Sequence, residues 1–62
     1  MTLTATSKSG IIKQLFKFRL ELHNFGDDIR ADKLYKLEND VVYDKYLSVQ
    51  QIKARFVKAM NK

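Results

Sequence analysis

The chain has no cysteine and no proline, and only two glycines and one histidine among its 62 residues. Without cysteine there is no disulfide framework and no thiolate metal site, so two common staples of very small domains are excluded. A cysteine-free chain suits a reducing compartment. The shortage of glycine and proline favours long regular elements over loops. Long apolar runs are also missing: runs of aliphatic or phenylalanine side chains stop at two residues, as in Ile11-Ile12, Leu15-Phe16 and Val41-Val42. A membrane-spanning helix needs about 20 predominantly apolar residues, so none is predicted. The first ten residues, MTLTATSKSG, are rich in threonine and serine. They lack both the apolar core of a secretory signal and the arginines of a transit peptide. Residues 1–8 therefore read as a flexible leader, residues 9–62 as one small domain, and the expected location is cytoplasmic with no membrane association.

A domain of this length buries only about 60% of the surface that its unfolded chain exposes. The hydrophobic content of 45% is too high for a disordered chain. The core must be packed efficiently or completed by a second copy, and a homo-oligomer is expected.

Charge of one sign is absent from both ends. Residues 1–20 carry Lys8, Lys13, Lys17 and Arg19 and no acid, whereas residues 45–62 carry Lys45, Lys53, Arg55, Lys58 and Lys62 and no acid. All seven acids lie between, as Glu21, Asp27, Asp28, Asp32, Glu38, Asp40 and Asp44, alongside Arg30, Lys33 and Lys36. The net charge is +5 in a basic–acidic–basic order. Two readings follow: internal pairing of the middle with its flanks, or a dedicated surface for anionic partners.

The C-terminal block has the clearest local structure. Ser48 precedes VQQIKARFVKAM with Gln51 three residues on, the spacing of a capping box. Val49, Ile52, Phe56 and Met60 make one apolar stripe, and Gln51, Arg55, Lys58 and Lys62 gather opposite. In the middle block, Gly26 supplies a stop for the first element and Asp27 or Asp28 a cap for the next. Ile29, Leu34, Leu37 and Val41 form a less regular stripe, and a break is expected before Ser48.

The first block fits two periods. Phe16 to His23, FKFRLELH, alternates apolar and polar as a half-buried strand does. The same residues belong to a longer helical stripe of Ile11, Leu15, Phe18, Leu22 and Phe25, with Ser9 as its cap. Arg19 falls on the apolar face of that helix. No second strand stands out in the chain to pair with a lone one. The expected fold is therefore all-α: two or three amphipathic helices near 10–25, 28–40 and 48–61, in a small, dimeric bundle. The alternative is a strand–helix–helix dimer with 15–23 as the strand. That order, from Leu15 to Met60, resembles the ribbon–helix–helix repressors. The resemblance implies two paired strands in the DNA major groove, with Lys17, Arg19 and Glu21 facing the nucleic acid.

Catalytic chemistry finds little support. His23 has no second histidine to complete a metal shell, and Gly26 separates it from Asp27. Adjacent Asp27 and Asp28 do not face one another on a helix. No cysteine, serine–base pair or glycine-rich phosphate loop offers nucleophilic or nucleotide chemistry. The expectation is a non-enzyme with no catalytic residue, metal or cofactor. Its function would be to bind an acidic surface of a larger protein through the C-terminal helix. Arg55, Lys58 and Lys62 would supply charge, and Tyr43 and Tyr46 apolar anchors with hydroxyls at a wet edge. The four phenylalanines are assigned to the core. The competing function, a small dimeric DNA-binding regulator, would use Lys17, Arg19 and Lys53 on phosphates.

Overall fold

The structure, a computed structural model, describes residues 1–61. Three helices follow one another, α1 (Lys8–Asn24), α2 (Asp28–Tyr43) and α3 (Val49–Met60), and the described residues contain no strand. Residues 15–23 all lie within α1.

Each helix begins on a side-chain cap that satisfies an otherwise orphaned backbone donor. Ser7, not Ser9, caps α1: its hydroxyl accepts from the Gly10 N–H, and the helix starts two residues before the expected 10. Asp27 caps α2 by accepting from the Arg30 N–H. At α3 both halves of the capping box are present, the Ser48 hydroxyl accepting from the Gln51 N–H and the Gln51 side chain from the Ser48 N–H. Gly26 lies in the turn between α1 and α2 at φ +81°, where a side chain would be strained. Helix α2 runs three residues past the expected end at 40. Burial of Val41 in the core outweighs the weak helix preference of the β-branched pair there.

The core is one cluster. Ile11, Leu15, Leu34 and Ile52 are fully buried at its centre, and Phe56, Leu37, Val41 and Leu47 pack around them. Fully burying one such aliphatic side chain contributes about 1.5–3 kcal/mol. Helices α1 and α2 form the tightest pair, α3 rests mainly on α2, and the Phe18 and Phe56 rings meet across α1 and α3 at 5.8 Å.

Several side chains sit differently from the sequence expectation. Phe25 and Ile29, both assigned to apolar stripes, flank the hairpin turn and are 85% and 75% exposed. Phe16 is half exposed, so only Phe18 and Phe56 of the four phenylalanines belong to the core. Residues 1–8, read as a leader, carry Leu3 into the core at 6% exposure. The Gln14 side chain holds that segment, accepting from the Thr4 and Ala5 N–H groups and donating to the Thr4 hydroxyl. Gly10 allows the close approach: a Cβ there would lie 3.0 Å from the Ala5 Cβ.

Candidate functional site

Helix α3 presents its basic side to a neighbouring stretch of α2. Arg55 and Lys58, one turn apart on α3, line a shallow concavity of about 300 Å³ together with Ala59 and with Lys33 of α2. Three cations from two helices thus converge, and none of these lining residues is acidic. The nearest counter-charge is Asp40, whose Oδ2 lies 3.5 Å from Arg55 Nη1. Both members of that pair are about half exposed. An exposed pair of this length contributes roughly 0.2–1 kcal/mol and is readily exchanged for another anion.

Lys33 was not singled out from the sequence as a site residue. Its sequence neighbour Asp32 pairs with Lys36 one turn on, at 3.4 Å. Of the other residues expected at this surface, Lys62 lies outside the described residues. Tyr43 closes α2 and Tyr46 lies in the connection to α3, at 83% and 86% exposure. Neither lines the concavity. Tyr46 instead has the Lys45 ammonium 6.0 Å from its ring centroid.

The residues of the nucleic-acid alternative are dispersed. Arg19 donates from Nε to both carboxylate oxygens of Glu38, and its guanidinium lies over the rings of Phe16 and Tyr35 at 5.2 and 5.1 Å. Lys53 lines a different hollow, of about 220 Å³, beside Leu3 and Phe56. Lys17 is exposed on α1.

The acid-rich turn between α1 and α2 is explained by capping. Asp27 accepts from the Arg30 N–H and from Arg30 Nη1 at 2.8 Å. These hydrogen bonds from Arg30, aided by its charge and that of Lys33, hold the Asp27 carboxyl below its ordinary range. His23 Nδ1 lies 2.9 Å from Asp28 Oδ1, so Asp28 and not Asp27 is its neighbour. No group of three or more metal-ligating side chains occurs among the described residues. No described helix is long and apolar enough to cross a membrane. No family model, curated protein or solved structure matches the chain.

Proposed function

We propose that the chain is a small, non-enzymatic, cytoplasmic adaptor or regulator that docks on an acidic surface of a larger protein. Support comes from the convergence of Lys33, Arg55 and Lys58 on one acid-free concavity at the α2–α3 junction. Arg55 offers a planar fork suited to carboxylates, and the two lysines are mobile point charges beside it. Tyr43 and Tyr46, exposed where α2 ends and the chain turns toward α3, lie outside the concavity and would supply apolar anchors only to a partner that extends along α2 beyond it. Carboxylates of a partner would displace the loose Asp40 contact and gain two further cations. The cations would govern association rate and salt dependence more than the final affinity.

The test uses a labelled glutamate-rich peptide and a mixed-sequence DNA duplex, each titrated at several salt concentrations. The expected result is saturable peptide binding that weakens with salt and is abolished in Arg55→Glu/Lys58→Glu, with helicity by circular dichroism retained. Lys8→Glu/Lys13→Glu removes the same net charge elsewhere and should leave most of the binding intact. Equal losses in the two double variants would reduce the effect to net charge and overturn the site. Tighter binding to the duplex than to the peptide would assign the surface to nucleic acid instead.

A further inference from the structure

Residues 1–6 cross from α1 to α3 as a strap outside the helices. Burial alternates along it: Leu3 is buried in the core cluster and Ala5 is partly buried, whereas Thr2, Thr4 and Thr6 are exposed. A period of two is how an extended peptide lies on a surface. Among the described residues, the strap's only hydrogen bonds to the helices are those with the Gln14 side chain. Gln14 accepts from the Thr4 and Ala5 N–H groups, so it reads mainly backbone, and the one deeply inserted side chain is Leu3. Beside Leu3 the strap leaves a hollow of about 220 Å³ against α3, lined also by Met1, Thr2, Lys53, Phe56 and Val57. Val57 remains 59% exposed, so the strap covers this apolar side incompletely.

We propose that this seat is a binding site for an extended segment of a partner protein, carrying one apolar anchor preceded by an acidic residue, and that residues 1–6 occupy it in cis as a displaceable strap. The seated strap itself defines the chemistry. Its two backbone N–H groups meet an amide oxygen that any extended peptide can use. The anchor must be apolar, because the position of Leu3 belongs to the core cluster with Ile11, Ile52 and Phe56. An anchor longer than leucine also enters the hollow and covers apolar surface of Phe56 and Val57 that Leu3 leaves bare. Lys53 is the one charged residue lining the hollow, and Thr2 lines it too. Lys53 forms no salt bridge among the described residues, so an acidic side chain in the place of Thr2 gains an unpaired cation. One buried side chain and one glutamine are a small hold, at the low-stability end of a fold, which lets the strap be displaced. The seat stands apart from the cationic concavity, since Lys33, Arg55 and Lys58 do not line it.

Anisotropy titration of the labelled peptide MTLTATS against full-length variants tests the proposal. Leu3→Asp vacates the seat and should bind the peptide saturably, with a rise in melting temperature. The wild type should bind it about tenfold more weakly or worse, because only chains with an undocked strap are competent. Replacing the peptide's leucine by aspartate should abolish binding. Glutamate in place of the peptide's first threonine should bind about threefold more tightly than lysine there, a difference lost in Lys53→Gln. Leu3→Ala, a milder release, serves the same titration if Leu3→Asp loses its helicity. Absence of binding to both variants would overturn the proposal, as would equal binding by the wild type or of the aspartate peptide. Indifference to glutamate against lysine would overturn the acidic preference. A wild-type dimer that Leu3→Asp dissociates, seen by sedimentation, would assign the seat to the strap of a second copy instead.

Discussion

Arg19 and Glu38 face each other across α1 and α2, with Arg19 Nε 3.2 and 3.3 Å from the two carboxylate oxygens. Among the described residues Glu38 is the one charged residue in the buried set, at 9% exposure, and the Arg19 guanidinium lies over two aromatic rings beside it. The pair accounts for an arginine on the apolar side of α1. Its stem covers core surface, and its guanidinium reaches a carboxylate brought in by the second helix.

Removing one partner leaves the other partly buried and uncompensated. Arg19→Met or Glu38→Leu alone should each cost about 2–3 kcal/mol, below the range for a fully enclosed pair because Arg19 keeps contact with water. The double variant should recover most of that loss, since two well-packed apolar side chains of similar volume replace the pair. Urea denaturation of the four chains measures the coupling, and simple additivity of the two single losses would refute it.

Acid stability should carry the signature of Asp27. Its carboxyl titrates below the ordinary value of 3.8 in the folded chain, because Arg30 hydrogen-bonds the ionised form. A lowered folded pKa adds stability that is present above the unfolded pKa and is lost as pH falls through the folded one. Asp27→Asn keeps an acceptor for the Arg30 N–H but cannot ionise. Its melting temperature should fall less steeply than the wild type's below about pH 3.8, and Asp27→Ala should lower stability at neutral pH as well. Parallel acid limbs for the wild type and Asp27→Asn would refute this account.

The N-terminal segment should contribute to the fold. Leu3→Ala removes a side chain from the core cluster and is expected to cost about 2 kcal/mol, the lower end for such truncations because the segment can readjust. Gln14→Ala should lower stability by a similar route, through loss of its three contacts with Thr4 and Ala5. Thermal melts report both. A chain lacking residues 1–6 that melts at the wild-type temperature would show that the docked segment adds nothing.

Local chemistry was readable from the residue order alone. The Ser48–Gln51 capping box, the Gly26 stop, a cap at Asp27 or Asp28 and the successive members of the α3 apolar stripe each depend on residues within four positions of one another. Sequence spacing encodes contacts at that range directly. Two or three helices and the break before Ser48 follow from these signals. The segregation of charge into three blocks was equally plain, although it did not say which charges would meet.

What needed the tertiary structure depends on residues far apart in the chain. FKFRLELH satisfies a strand and a helix equally well by period, and Arg19 counted against the helix until Glu38, nineteen positions on, supplied its partner. The choice between Ser7 and Ser9 as cap accompanies the docking of Leu3 and the reach of Gln14 to Thr4. Phe25 and Ile29 carry apolar side chains on plausible stripes, yet they stand at a turn where no third element covers them. Lys33 joins Arg55 and Lys58 only because α3 folds back along α2. In each case spacing along one helix sets the direction of a side chain, and the packing of the other helices decides what it meets.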